Sequence, residues 1–264
     1  MRIFWTALVL VLISVVPAWA HDCWLQPDHF KIGLDTFLVI KLLVGHKLEI
    51  TKELNLEKKL IPRLSLLTRD KEMDLLSELE DESLPAVSFL PEFTGTGLIA
   101  MDKGFTDIIL ENDKFSSYIK SEYHSHLLEQ VIANPRGKQK EEFARCIKTL
   151  VQVGEDTYTP EVAARKTGQK LEILLLSSPL HNEPVRIKVL FDQKPLPQKT
   201  VTAFIRNQKD MIFQTAVTGE DGEAVFENAG AGMWLIRLIH LSACKEERDM
   251  DWTSYWGAFC FEMA

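Results

Sequence analysis

The histidines are the residues whose type and placement could bind a metal ion. One of the seven, His21, lies in the stretch "PAWAHDCWLQP" (17–27), directly after a predicted cleavage site. Cleavage after Ala20 would leave His21 with a free α-amine, which can chelate a metal together with the ring Nδ1. A second imidazole would complete a histidine brace, a geometry suited to Cu(II) or Ni(II). The alternative is that His21 merely happens to follow the cleavage site.

Two other histidines end apolar segments that are typical of strands. His46 ends "KLLVGH" and His240 ends "WLIRLIH". Histidines at strand ends can converge at the rim of a β-sandwich, so we predict one metal site formed by His21, His46 and His240. For any single histidine, a hydrogen bond to a neighbouring loop is the simpler alternative.

The "HSH" sequence supplies two secondary candidate ligands, His124 and His126. It lies in segment 112–131, whose apolar residues recur every fourth position from Phe115 to Val131, and this period predicts a helix. Two positions along a helix separate side chains by about 200°. Only one of the two rings could then face a given ion, so the sequence predicts that the pair is not a chelate.

Residues 1–20 predict a signal peptide. Arg2 supplies a positive charge, an apolar core follows, and Ala18-Trp19-Ala20 has the small-x-small pattern of a cleavage site. We therefore expect cleavage after Ala20 and a periplasmic or secreted protein without a membrane span. The alternative is an uncleaved anchor, since about 17 apolar residues could just span a bilayer.

Charge and motifs exclude several classes of function. The formal net charge is −8 and becomes more negative when Arg2 leaves with the leader, so nucleic acid is a poor partner. The sequence contains no hydrolase nucleophile motif, phosphate-binding loop or HExxH motif. We therefore expect a binding protein without catalytic residues rather than an enzyme.

The four cysteines are Cys23, Cys146, Cys244 and Cys260. An oxidising compartment would permit two disulfides, with three possible connectivities. The favoured pair is Cys23 with Cys260, because their terminal strands could be neighbours. The alternative is that the thiols are free and buried.

Short apolar and β-branched runs, separated by Gly and Pro, predict a mainly β fold with two β-sandwich lobes. One amphipathic helix, 112–131, lies between the two strand-rich regions. The predicted segments are a signal peptide (1–20), an N-terminal β-rich domain (21–154), a connector (155–170) and a second β unit (171–264).

Three stretches between residues 171 and 240 carry a first resemblance: "KPLPQKTVTAF", "TGEDGEAVF" and "AGMWLI". They resemble the G-x-P-L-x-x-A-x-V, T-D-x-x-G-x-F and P-G-x-W-x-I patterns of the carboxypeptidase-regulatory or transthyretin-like, Ig-like β-sandwich. This resemblance implies a scaffold and no activity of its own.

Five fragments carry a second resemblance over the whole mature chain: "AHDCWLQP", "KLLVGH", "RCIKTLVQVG", "IRLIH" and "DWTSYWGAFCFE". In this order they resemble a bacterial family of periplasmic domains of unknown function once labelled as components of nickel-uptake transporters. The resemblance implies handling of nickel or cobalt, with a membrane metal-uptake transporter as the partner.

The residues and the resemblance together predict a non-enzymatic exported protein that captures a divalent transition metal, nickel or cobalt, and passes it to an uptake transporter. One alternative is a copper histidine-brace protein, either an oxidase or a copper carrier. Another is a metal-free exported interaction module.

Overall fold

The strands of the protein form three layers. The computed structural model describes residues 22–155, 158–179, 183–208, 210–244 and 249–263. A nine-stranded sheet is the central layer, and a four-stranded outer sheet packs on each of its faces. The predicted mainly β, sandwich-like fold is therefore confirmed. The predicted signal peptide and His21 lie outside the described residues.

The first outer sheet is made by N-terminal strands. It contains β1 (Asp22–Pro27), β3 (Leu38–His46), β4 (Glu49–Leu54) and β7 (Val87–Phe89). The second outer sheet contains β10 (Leu171–Leu175), β11 (Val185–Phe191), β12 (Lys194–Pro195) and β15 (Glu223–Phe226).

The central sheet takes strands from both predicted lobes. Its members are β2 (Lys31–Ile32), β5 (Arg63–Leu67), β6 (Glu72–Asp74), β8 (Gly95–Glu111), β9 (Lys138–Val153), β13 (Thr200–Arg206), β14 (Met211–Val217), β16 (Gly232–Ala243) and β17 (Trp252–Met263). The order is β14-β13-β16-β17-β9-β8-β5-β6, and β2 also pairs with β9. Because β17 runs parallel to β9, from Trp252↔Glu141 to Cys260↔Thr149, one ladder joins the two halves of the chain.

Alternation along β16 decides which layer each of its side chains faces. Leu235 packs in the core under the first outer sheet, whereas Trp234, Ile236 and Leu238 pack in the core under the second. The same alternation places Arg237 on the first face and His240 on the second. Arg237 and His240 therefore lie on opposite faces of the central sheet and cannot belong to one site.

The prediction of one continuous helix over 112–131 is wrong, because the structure interrupts it. The chain forms α1 (Asn112–Ser121), a 3₁₀ turn (Ser125–Leu127) and α2 (Leu128–Ala133). The break lies at Tyr123, which has a left-handed φ of 62° and is exposed. The other members of the apolar series, from Phe115 to Val131, are buried against Ile239, Leu241 and Trp252. The period therefore identified the buried face but not the turn within it.

Among the described residues, two further short helical segments lie outside this region. A 3₁₀ turn covers Lys58–Leu60, and α3 (Pro160–Ala163) lies within the predicted connector 155–170. The buried Val162 and Ala163 of α3 join the core between the central and second outer sheets. The connector thus contributes to the packed interior.

A buried ion pair links the central sheet to the second outer sheet. Lys148 Nζ lies 2.6 Å from Glu172 Oε1, and the two side chains are 1% and 0% exposed. Lys148 also donates to the Ile173 carbonyl, and Glu172 accepts hydrogen bonds from the Thr167 amide and hydroxyl. Although burial raises the pKa of Glu172, the Lys148 charge holds that pKa below its ordinary value. The pair is therefore ionised and well satisfied.

The predicted Cys23–Cys260 disulfide is wrong. Cys23, Cys146 and Cys260 are free, buried thiols, and both Cys23 and Cys260 lie in the core under the first outer sheet. They come from facing sheets, which pack about 10 Å apart. A disulfide needs Cα atoms about 4.4–6.8 Å apart. Burial raises the pKa of the Cys23 thiol, so this thiol stays protonated.

Candidate functional site

Three charged residues form a buried ion cluster where the first described residue meets the central sheet. Arg237 Nε lies 2.5 Å from Asp22 Oδ1. The two terminal nitrogens of Arg237 each donate over 2.8 Å to a different oxygen of Glu122. The side chains of Arg237, Asp22 and Glu122 are 9%, 4% and 10% exposed. We call these three residues the ion cluster.

Each member of the ion cluster is placed by a different element. Asp22 begins β1 opposite Gly45, Glu122 directly follows α1, and Arg237 projects from β16. Gly45 is required at its position, because a Cβ there would meet the Glu49 carbonyl oxygen at 2.0 Å. The close β3–β4 turn that results brings the Lys47 amide to Asp22, 3.4 Å from Oδ2.

The ion cluster contains two carboxylates and one guanidinium. Burial raises the pKa of Asp22 above its ordinary value, and the charges of Arg237 and His46 offset this only in part. Burial lowers the pKa of Arg237, but the carboxylates of Asp22 and Glu122 outweigh this and raise it. Two carboxylates share one guanidinium, so the cluster would carry one negative charge in excess when both are deprotonated. A second cation beside it would therefore be stabilised.

Of the predicted ligands, His46 lies beside this cluster. It ends β3 next to Gly45, the partner of Asp22, and it is half-buried. His21 is outside the described residues and directly precedes Asp22 in the sequence. A metal site formed by His21 and His46 therefore stays a prediction. In its favour, His46 lies beside Asp22, the residue that follows His21.

His240 lies on the other face of the central sheet. Its ring packs against Phe191 of the second outer sheet, with centroids 4.1 Å apart. Imidazole nitrogens bind metals at about 2.0–2.1 Å, so one ion cannot be shared by side chains on opposite faces of a sheet. The structure brings His46 to the ion cluster and does not bring His240 there.

The "HSH" pair lies in the turn that interrupts the predicted helix. The rings of His124 and His126 have centroids 5.9 Å apart, so the separation expected for a helix does not hold here. His124 is buried and its Nε2 lies 2.9 Å from the Ile239 carbonyl oxygen, to which it donates, whereas His126 is exposed. Burial lowers the pKa of His124 and of His240 to about 4, so both rings are neutral near pH 7.

No three side chains are arranged as a ready metal site in the part of the chain that the structure describes. This holds for groups of His, Cys, Asp and Glu. The predicted ligand set that includes His21 stays a prediction, because His21 is not among the described residues.

Sequence reasoning missed the ion cluster. Its signal was Arg237, a lone charge inside the apolar run "WLIRLIH". A charge in such a run must be exposed at an edge or paired inside. The sequence could not identify its partner, since Glu122 lies 115 residues away in the chain.

A second buried carboxylate, Glu141, lies under α1. Tyr118 donates its hydroxyl proton to Glu141 over 3.1 Å, and Ser254 donates a further hydrogen bond. Trp256 in turn donates to the Ser254 hydroxyl over 2.9 Å. Burial raises the pKa of Glu141 to about 7, against the lowering effect of these hydrogen bonds. The carboxylate therefore titrates near neutral pH.

Glu141→Gln is expected to remove a pH dependence of stability. Between pH 4.5 and about 7, folded Glu141 keeps a proton that the unfolded chain has lost. The wild-type free energy of unfolding therefore falls as pH rises through this window, by up to about 3 kcal/mol. Glutamine stays neutral and still accepts from Tyr118 and Ser254.

Urea denaturation at pH 5 and pH 8 measures this effect. The variant should gain stability relative to wild type at pH 8, whereas Glu111→Gln, at an exposed site, should not. An equal difference between Glu141→Gln and wild type at both pH values would contradict the raised pKa.

The chain was compared with protein-family models and with curated proteins. The family model described as "Domain of unknown function (DUF4198)" matches residues 18–242. No curated protein matches the chain. Among the described residues, no helix is long and apolar enough to cross a membrane.

Proposed function

Since the chain belongs to this family of domains of unknown function, we propose, from the residues beside the ion cluster, that it is an exported protein that binds a divalent transition metal at its mature N-terminus. The ligands are the α-amine and the imidazole of His21, together with the imidazole of His46. Signal-peptide cleavage after Ala20 creates the amine, and the protein acts in the periplasm.

The pairing of two buried carboxylates with a single guanidinium is the observation that supports this proposal. Asp22 is held by Arg237 over 2.5 Å, so the backbone directly after His21 is fixed. His46 lies on the adjacent strand next to the partner of Asp22. A cation bound here gains attraction from two buried carboxylates that Arg237 only partly neutralises.

The donor set fits nickel, cobalt or copper. Amine and imidazole nitrogens suit these ions, and affinity for such donors rises from cobalt through nickel to copper. The nickel-uptake label of the resembling family favours nickel or cobalt as cargo for a membrane uptake transporter. The transthyretin-like resemblance of residues 171–240 adds a scaffold for docking to that transporter.

The test is metal titration of the mature chain purified from the periplasm, with its N-terminus determined by mass spectrometry. Nickel, cobalt and copper are each titrated calorimetrically. Inserting one alanine before His21 moves the amine away, and His46→Gln removes an imidazole. Each change should weaken binding at least about tenfold, or about 1.4 kcal/mol.

The matched control is His29→Gln, because His29 is exposed in a loop. Its metal affinity should equal that of wild type. Equal affinities of wild type and the alanine-insertion variant would overturn the proposal. The amine would then serve only as an ion-pair partner of the cluster.

A further inference from the structure

Lys103 and Arg145 place two like charges side by side on the central sheet. They lie directly opposite each other in the β8–β9 ladder. Met101 and Ile147, two residues away on the same strands, also pair with each other and pack in the core under the first outer sheet. Side chains two positions apart on a strand share a face, so both cations point to that side. We call Lys103 and Arg145 the cation pair.

Neither member of the cation pair has a counter-charge within the described part of the chain. Lys103 is only 7% exposed, yet its ammonium group forms no ion pair or hydrogen bond with another described residue. Arg145 is partly exposed, but its Nε is buried and has no hydrogen-bond partner there. Buried lysines are almost always paired, and directly opposed like charges destabilise a sheet. The cation pair therefore calls for an anion.

Aromatic rings hold the Arg145 guanidinium in place. Its Cζ lies 4.7 Å from the ring centroid of Phe143 and 5.2 Å from that of Trp256. Trp256 is itself held, because its Nε1 donates to the Ser254 hydroxyl over 2.9 Å and Tyr118 stacks on its ring. A guanidinium stacked on a ring keeps the N–H groups along its edge free to donate. The guanidinium is thus preorganised for a planar acceptor.

Three carboxylates on this side of the central sheet are engaged with other groups. Asp22 and Glu122 both bind Arg237, and Glu141 accepts the hydrogen bonds described above. None of the three forms an ion pair with the cation pair. An anion from outside the chain is therefore the partner that the two charges require.

The surroundings of the cation pair favour an organic acid over inorganic phosphate. Trp256 lies opposite Arg145 in the ladder and is partly exposed, so a ligand can reach the guanidinium from solvent along an aromatic surface. Cys23 of the facing sheet lies near both charges, which partly offset the effect of burial on the pKa of its thiol. Phosphate needs polar partners on all sides, whereas an organic acid has a carboxylate at one end and carbon atoms to lie against the rings. A carboxylate also matches the two parallel N–H groups of a guanidinium.

We propose that the cation pair binds the carboxylate of a small organic acid. Arg145 donates two hydrogen bonds to the carboxylate, Lys103 supplies the second positive charge, and the carbon atoms of the ligand lie against Trp256. The site uses no group of the proposed metal site and does not rest on that proposal. It lies on the same face of the central sheet as Arg237, one row of paired side chains further along the strands.

The test is titration of the metal-free chain with succinate, and separately with inorganic phosphate, at constant ionic strength. Binding is measured by calorimetry and by NMR of ¹⁵N-labelled arginine side chains. We expect succinate to bind with a dissociation constant below about 1 mM and to move the Nε signal of Arg145. Lys103→Met and Arg145→Met should each weaken succinate binding at least about tenfold.

The matched control is Lys41→Met, which also removes one positive charge. Lys41 lies on β3 in an exposed ion pair with Asp28, so its loss should leave succinate binding equal to that of wild type. Lys103→Met removes one of two opposed like charges and should not lower the stability of the unliganded chain. Its thermal unfolding without succinate therefore shows that the variant folds.

The Arg145 Nε signal tests the site in the wild-type chain and needs no variant to fold. Succinate that leaves this signal unchanged would overturn the proposal. Equal weakening of succinate binding in Lys103→Met and Lys41→Met would also overturn it, since the attraction would then be a general effect of charge. Tighter binding of phosphate than of succinate would show that the ligand is not an organic acid. Because the chain is free of metal throughout, failure here does not bear on the proposed function.

Discussion

Lys148→Met is expected to lower the free energy of unfolding by about 3–5 kcal/mol. The change leaves Glu172, whose side chain is 0% exposed, as an uncompensated charge between two sheets. Glu172 then keeps only the hydrogen bonds from Thr167 and Gln193. Its pKa must rise, so the loss of stability should be largest at pH 8 and smaller at pH 5. Urea denaturation at both pH values measures this.

Two further variants separate burial from charge. Lys148→Met combined with Glu172→Gln should recover at least half of the loss, because it removes the unpaired charge. Lys41→Met breaks an ion pair with Asp28 whose partners are 39% and 42% exposed, and it should cost at most about 1 kcal/mol. Equal losses from Lys148→Met and Lys41→Met would contradict the role given to the buried pair.

Arg237→Met should have a comparable effect, about 3–5 kcal/mol, at the opposite face of the central sheet. It leaves the carboxylates of Asp22 and Glu122 without their guanidinium partner. Both carboxylates must then take up protons to stay buried, so the destabilisation should grow with rising pH. Thermal unfolding between pH 5 and pH 8 would follow this trend.

The matched control for Arg237→Met is Arg186→Met. Arg186 also binds a carboxylate, that of Glu223 at 2.8 Å, but its side chain is 56% exposed. Its loss should shift stability by at most about 1 kcal/mol at either pH. A pH-independent loss in Arg237→Met would mean that packing of the arginine, rather than its charge, holds the cluster.

The sequence predicted the parts of the fold that depend on local pattern. Alternating apolar runs identified a mainly β chain, and a four-residue period identified the buried face from Phe115 to Val131. The period could not show that the helix turns at Tyr123, where one residue adopts a left-handed φ of 62°. That turn is what allows His124 to reach the Ile239 carbonyl.

The candidate sites depend on pairings that no local pattern encodes. His46 and His240 both end apolar strands, and only strand order and side-chain alternation reveal that they face different layers. Arg237 meets Glu122 across 115 residues of chain. Such contacts are fixed by the topology of the central sheet, which a single sequence does not determine.

The position of β17 has a consequence for how the chain folds as it is synthesised or exported. It follows every other described strand in sequence, yet it lies between β16 and β9 in the middle of the sheet. Any process that releases the chain from its N-terminus must therefore present two unpaired edges, on β9 and β16, before the strand that joins them arrives. Open edges are templates for wrong partners, and such long-range closure is slow. The chain is thus most prone to wrong strand pairing after β16 has been released and before β17 follows.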